Sequence, residues 1–343
     1  MYVPGDLSSA LALMILSAVC WGSWANTYKG AKNYPFELFY WDYILGVVIC
    51  TYAFAFTLGS SGEVGEPFLE NLRNADSTNL IHALVAGAIF NVANVLLVAA
   101  VDIAGLAVAF PIAIGIALTE GVVLSYALQP KGDVPFLAAG VALALVAVVL
   151  DGRAYRALSA GKALSAGKAL TDGKAVPGDR PATRLGVVVS VASGVLMGAF
   201  APFVTRAMTH GHTLTPYSVA AVFSMGALGC CFVANVYLLR HPIRGAAVPF
   251  SGYWSATPRN HLLGVLGGIV WGIGGCFNFI AAGYVGVPIS YSIGQSAPLI
   301  AALWGILAWR EFASAPKRAW VFLGWMFACY VAAIAVIALA YKG

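Results

Sequence analysis

Long apolar runs separated by short polar segments dominate the chain. Crossing about 30 Å of hydrocarbon takes roughly 20 apolar residues in a helix, so a charge-free run of this length predicts one transmembrane helix. Five runs meet this criterion, at residues 7–26, 134–150, 185–205, 213–239 and 319–341.

Further helices are predicted where the pattern is interrupted or overlong. Residues 262–309 carry no charge but are too long for one crossing, and a Gly/Pro break at 283–288 predicts two helices there. Three more apolar segments contain a few ionisable residues, at 35–59, 78–101 and 103–129. The pattern predicts an all-α membrane protein with ten transmembrane helices.

Composition supports a membrane environment. Of 343 residues, 60% are hydrophobic and only 10% are charged, whereas soluble proteins carry about 25% charged residues. A membrane barrel would require alternating polar and apolar positions, which these unbroken runs lack. The six cysteines fall inside predicted helices without the paired spacing of a metal site, so we expect neither a metal nor a cofactor.

The distribution of basic residues predicts the orientation. Loops after odd-numbered helices hold 15 Lys and Arg residues, and loops on the opposite side hold 4. Basic loops stay cytoplasmic, which predicts both termini outside and the central loop inside, in a bacterial inner membrane. The net charge of +5 is therefore interpreted as a topology signal and does not indicate nucleic-acid binding.

The chain divides into two predicted halves. Residues 1–150 form a first five-helix repeat, 151–184 a cytoplasmic linker and 185–343 a second five-helix repeat. Five is odd, so the halves would enter the membrane in opposite orientations and enclose a central cavity. Weak similarity supports the repeat: Gly87 aligns with Gly267 and, after a one-residue slip, Gly105 with Gly286.

Two acidic residues lie inside predicted membrane helices. A carboxylate in lipid is costly unless it faces a cavity or a partner, so Asp42 and Glu120 are candidates for proton coupling or substrate binding. The alternative is a structural acid that is protonated or hydrogen-bonded, or, for Asp42, one that is hydrated near the headgroups.

Polar and aromatic side chains share helix faces and suggest a pocket for a neutral polar ligand. Rings can stack on a flat ligand while amides hydrogen-bond to it. Alternatively, the tryptophans form an interfacial belt and the amides join helices. The candidate substrate-binding residues are Trp21, Trp24, Asn26, Trp41, Asn91, Asn94, Trp271, Asn278, Tyr291 and Gln295.

Several short motifs resemble known permeases. Asp42-Tyr43, Gly283-Tyr284, Gln295, Pro298-Leu299 and Trp304-Gly-Ile-Leu307 followed by Glu311 resemble the ureide permeases. The segments 263–271 and 112–117 are similar to the rhamnose permease and the glucose/ribose porters. All are branches of the drug/metabolite transporter superfamily. The resemblance implies a ten-helix inverted repeat with a central cavity, ion-driven uptake, and functional roles for Asp42 and Gln295.

These observations predict a secondary active transporter that takes up a small neutral polar metabolite, a sugar or a nucleobase or ureide. We expect coupling to protons, alternating access, and a monomer or homodimer in the bilayer. Export of drugs or metabolites is the alternative within transport. A membrane-embedded enzyme or a receptor-like binding protein is the alternative of another class, although no enzyme motif is evident.

Overall fold

A computed structural model describes residues 1–62, 64–167, 184–243 and 246–341. Within these ranges the regular elements are all helical. They are α1 (Leu7–Ser23), α2 (Ala25–Gly30), α3 (Phe36–Phe56), α4 (Phe68–Asn74), α5 (Ser77–Ala104), α6 (Leu106–Leu128), α7 (Val134–Gly167), α8 (Arg184–Thr209), α9 (Pro216–Cys230), a π-helical turn (Cys231–Asn235), α10 (Val236–Arg240), α11 (Ser251–Trp254), α12 (Pro258–Val285), α13 (Val287–Gly294), α14 (Ala297–Leu307) and α15 (Lys317–Leu339).

Nine helical segments in the described ranges are long and apolar enough to cross a membrane. The chain is therefore an all-α membrane protein. The sequence predicts a tenth crossing at the segment that forms α13 and α14, two shorter helices separated by Gln295 and Ser296. Gly294 precedes this break, and Pro298 lies in the first turn of α14.

Local sequence signals explain where several helices begin. The Asp6 carboxylate accepts a hydrogen bond from the Ser9 amide at 2.7 Å, which caps α1 and lowers the pKa of Asp6. Thr215 caps α9 and Thr257 caps α12 in the same way, and a proline follows each threonine as the first helical residue.

Two glycines separate consecutive long helices with nearly the same backbone geometry. Gly105 lies between α5 and α6 with φ 79° and ψ 156°, and Gly286 lies between α12 and α13 with φ 95° and ψ 152°. This region of backbone space is accessible almost only to glycine. The break at Gly286 falls inside the Gly/Pro segment expected from the sequence.

Replacing Gly105 by alanine is expected to lower the free energy of unfolding by about 1–3 kcal/mol. The space around a Cβ at this position is open, so the cost would come from the backbone conformation alone. Thermal unfolding in detergent would measure it, with Gly324→Ala as control because Gly324 is also in open space but lies inside α15 with negative φ. Equal stability of the two variants would contradict the conformational explanation.

Two long helices, α5 and α12, each pack on two other long helices of the bundle. α5 packs on α8 and α9, and α12 packs on α1 and α3. The other main contacts join α7 to α15, α6 to α8, α3 to α9, and α1 to the pair α13 and α14.

Glycines let these helices approach closely. Where α3 crosses α12, a Cβ on Gly46 would meet the Val265 carbonyl oxygen, and one on Gly268 would meet the Tyr43 carbonyl oxygen. Such backbone proximity is possible only with small residues at the crossing.

Glycines also lie at the crossing of α5 with α9. A Cβ on Gly226 would meet the Leu84 carbonyl oxygen, and one on Gly87 would meet the Phe223 carbonyl oxygen. The two crossings therefore have matching contacts with backbone carbonyls.

The helix before the predicted central linker extends beyond the end of its apolar run. α7 continues through Asp151 to Gly167, and residues 168–183 lie outside the described ranges. The division of the chain at 151–184 into two repeats therefore stays a prediction.

Candidate functional site

A cavity of about 470 Å³ lies inside the helical bundle. Its walls come from α1, α2, α5, α6, α7, α8, α12, α14 and the break between α13 and α14. The volume falls in the range of small-molecule binding sites, which are mostly apolar with a few placed polar groups. Six of the sequence-predicted site residues line it: Trp21, Trp24, Asn26, Asn94, Trp271 and Gln295.

Aromatic rings form the inner end of the cavity. The rings of Trp21 and Trp271 are stacked with centroids 5.8 Å apart, and Phe90 lies 4.5 Å from Trp271. Phe200 lies beside Phe90 and completes this part of the wall. The flat indole surfaces suit a planar ligand, and Trp271 itself is held by Phe223 behind it.

Amide side chains and the helix break supply polar groups. Asn94 donates from Nδ2 to the Tyr40 hydroxyl at 3.3 Å, which fixes the orientation of its amide. Gln295 stands at the end of α13, and Ala297 and Pro298 of α14 line the cavity next to it. In membrane proteins such interrupted helices are tolerated where they line a cavity.

A carboxyl group that the sequence interpretation assigned to the linker also lines the cavity. Asp151 is only 4% exposed, and its Oδ1 has no hydrogen-bond partner. A signal for its burial exists: Ala147, Asp151, Ala154 and Leu158 follow helical spacing, and all four are buried. The apolar stripe of α7 thus continues past the first charged residue.

Glycine contacts position Asp151. The adjacent Gly152 lies against the Pro111 ring and the Ala107 carbonyl of α6, so α6 and α7 touch at this level. One turn later Tyr155 also lines the cavity, and its ring packs on Phe312.

An ion pair marks the mouth of the cavity, at the end of the bundle where α7 leaves toward the linker. Lys29 Nζ donates to Glu311 Oε1 at 2.6 Å, and Lys29 lies 5.0 Å above the Trp309 ring. The Trp309 indole donates to Asn26 Oδ1 at 2.6 Å, and Trp304 donates to Ser23 Oγ at 2.8 Å. These contacts tie the α1–α2 junction to α14 and the segment after it.

Hydrogen bonds join chain segments at the opposite end. Asn79 Nδ2 donates to the carbonyls of His210 and His212, and Asn71 Oδ1 accepts from the Thr215 amide. Glu66 accepts from Asn71 and Asn74, which lowers the pKa of that carboxyl. The loops after α3 and α8 are thereby held together.

Asp42 lies outside the cavity wall, in a buried polar cluster. Its carboxylate accepts hydrogen bonds from Tyr34 at 2.9 Å, Tyr253 at 2.7 Å and His261 Nδ1 at 2.9 Å. Burial, followed by the hydrogen bond to Asp42, raises the pKa of both Tyr34 and Tyr253, so the phenols remain protonated donors. His261 pairs with Asp42 as an ion when it is protonated.

Glu120 lies on α6 against Gly198 of α8. It is half-buried and is absent from the cavity wall. The structure thus places the two predicted proton-coupling acids, Asp42 and Glu120, at separate positions around the cavity.

The four remaining predicted residues lie between helices outside the cavity wall. Asn91 Nδ2 donates to Asn235 Oδ1 at 3.0 Å, which joins α5 to the π-helical turn. Asn278 and Ser290 exchange two hydrogen bonds between α12 and α13, and the Tyr291 hydroxyl donates to the Met197 carbonyl at 3.2 Å. The Trp41 ring contacts Phe232 and Phe250. Substrate contact by these residues stays a prediction.

The cavity wall offers contact surface and hydrogen-bonding groups to a small solute. Among the described residues, no group of three or more His, Cys, Asp and Glu side chains could hold a metal ion. Stacked indoles, amides and a buried carboxyl instead provide surface contact and hydrogen bonds.

Comparisons with known proteins agree with this architecture. The family model described as Ureide permease matches residues 168–340. Three Arabidopsis thaliana proteins match 98% of this chain over 98% of their own length: Ureide permease 4 at 23% identity, Ureide permease 1 at 24% and Ureide permease 2 at 20%.

A solved crystal structure of a protein shares the fold. It covers 97% of this chain and 99% of its own chain, with a TM-score of 0.62 and 16% sequence identity. Permeases move solutes without transforming them, so a member of such a family is a membrane transport protein and not an enzyme. Because the family match spans half of the chain, the chain belongs to the ureide permease family.

Proposed function

We propose that this protein is a secondary active transporter that takes up a ureide, or a related neutral metabolite such as a nucleobase or sugar, together with protons. The central 470 Å³ cavity with its stacked Trp21 and Trp271 carries the proposal. A ureide offers flat N–H and C=O groups, for which indole faces and the amides of Asn94 and Gln295 are suitable partners. We place the protein in the drug/metabolite transporter superfamily because of the motifs that resemble its permease branches.

The proposed mechanism is alternating access by two inverted five-helix repeats. The number of residues between Gly87 and Gly268 equals the number between Gly105 and Gly286. A single alignment of the two halves therefore matches both pairs without an insertion. Gly46 and Gly226 also make equivalent contacts with backbone carbonyls. This correspondence supports α13 and α14 as the tenth crossing, which would match α6 in the first repeat.

The proposed orientation follows the basic loops. The mouth at Lys29 and Glu311 lies at the end of the bundle that carries most of the basic residues. We place this end in the cytoplasm and both termini outside, so the cavity would be open inward. Release of an imported solute to the cytoplasm would occur from this state.

Counterflow in proteoliposomes tests the function. Vesicles loaded with unlabelled 5-ureidohydantoin should accumulate the labelled compound, whereas uracil and glucose as competitors would define how broad the substrate class is. An inward proton gradient should then drive net uptake. Absence of exchange with every one of these solutes would contradict the proposal, and efflux of lipophilic cations would favour the exporter.

The aromatic wall gives a directed test. Trp271→Leu keeps an apolar side chain but removes the stacking surface, and stacking of a ring on an aromatic side chain is worth about 1–3 kcal/mol. Half-saturation for 5-ureidohydantoin is therefore expected to rise about 5- to 150-fold. Trp325→Leu is the matched control, since Trp325 is 63% exposed on α15. Equal half-saturation in both variants would exclude Trp271 from binding.

A further inference from the structure

One carboxyl group in the cavity wall has a buried oxygen without a hydrogen-bond partner. It belongs to Asp151, through Oδ1, whereas the unpaired Trp21 Nε1 lies against Gly274 of α12. A buried polar group without a partner costs about 1–3 kcal/mol, and an ionised one costs more. Proteins retain such groups where a ligand satisfies them.

We infer that Asp151 is the substrate-binding acceptor for an N–H group of a urea moiety. The inference rests on the proposed function and specifies the chemistry of the same site. A urea group presents N–H donors on both sides of one carbonyl acceptor. A carboxylate beside the ring can accept from one of these N–H groups.

The surroundings of Asp151 favour a ligand role over a structural one. None of the hydrogen bonds or ion pairs among the described residues uses its Oδ1. Its neighbours on the buried face of α7 are Ala147, Ala154 and Leu158, and the hydroxyls of Tyr155 and of Tyr330 on α15 lie within electrostatic range. None of these groups carries a positive charge that would neutralise it. The ion pair at the cavity mouth is already formed between Lys29 and Glu311.

A substitution separates the two roles. Asp151→Leu removes the carboxyl while keeping a similar shape, and exchange of an unpaired buried carboxyl for an apolar group is neutral or stabilising. The melting temperature of the ligand-free variant is therefore expected to equal or exceed that of the wild type. Ligand affinity should fall about 10- to 100-fold, the value of a hydrogen bond to a charged group.

The measurement is competition against 5-ureidohydantoin counterflow by hydantoin and by 1,3-dimethylhydantoin, which lacks the two urea N–H donors. The wild type should prefer hydantoin about 10-fold or more, and Asp151→Leu should lose this preference.

Two results would overturn the inference. One is an unchanged preference for hydantoin over its dimethyl analogue in Asp151→Leu. The other is a lower melting temperature for that variant, which would make Asp151 a structural residue. If the wild type itself fails to exchange 5-ureidohydantoin, the proposed function fails first, and the melting temperature still reports on Asp151 independently.

Discussion

Asp42→Asn is expected to abolish proton-driven uptake while solute exchange continues. The carboxylate accepts hydrogen bonds from three donors, Tyr34, Tyr253 and His261, and on the proposed mechanism it carries the coupled proton. An asparagine preserves the shape but cannot carry the charge change. On the proposed mechanism, the variant would bind and exchange solute without using the gradient.

Glu120→Gln tests the second acid in the same way. Uphill uptake under an imposed pH gradient and counterflow without one should be measured side by side in proteoliposomes. Glu70→Gln is the matched control, because Glu70 is exposed on α4 and is distant in sequence from both Asp42 and Glu120. Full uphill transport by both Asp42→Asn and Glu120→Gln would remove these acids from the coupling mechanism.

The structural alternative for Asp42 predicts another outcome. If its hydrogen bonds only hold the segments before α3 and α12 in place, Asp42→Asn would lower the melting temperature and reduce uptake and exchange together. Tyr253→Phe removes one of the donors without changing the acid. On the structural alternative, Tyr253→Phe should lower the melting temperature by part of the loss seen in Asp42→Asn. On the coupling role, Tyr253→Phe should leave solute exchange nearly unchanged.

Sequence reasoning was most effective where the signal is local. Apolar length predicted the membrane helices, and the Gly/Pro segment predicted the break at Gly286. Same-face spacing on single helices indicated Trp21, Trp24 and Asn94, which line the cavity. The first two inferences depend on the order of residue types along the chain, and the third depends on helical periodicity.

Reasoning from the sequence was weaker where contacts join distant segments. The partners of Asp42 come from residues 34, 253 and 261, which no periodicity relates. Asp151 was assigned to the linker because an apolar run was ended at its first charge, although the helix continues. The break at Gln295 and Ser296 lies inside a segment that the apolar pattern predicts as one helix, because apolar length alone does not mark an interruption.

The largest loss of folded protein is expected when leucine replaces a glycine where α3 crosses α12 or where α5 crosses α9. Gly46→Leu would drive a side chain into the Val265 carbonyl of α12, and Gly226→Leu would drive one into the Leu84 carbonyl of α5. Overpacking by a few methylenes costs about 1–3 kcal/mol where side chains can shift. Here the opposing atoms are backbone, so whole helices would have to separate.

We therefore expect both variants to lose the monodisperse peak in size-exclusion chromatography that the wild type gives. Gly229→Leu and Gly324→Leu are matched controls, because a Cβ at either position has nothing within 4 Å. In those helices, replacing glycine removes an unfavourable residue, so the folded yield should be kept or improved. The two crossings have corresponding glycines, so under the inverted repeat the two variants should lose folded protein to a similar extent. A Gly46→Leu protein that melts at the wild-type temperature would show that α3 and α12 do not meet as closely as their glycines require.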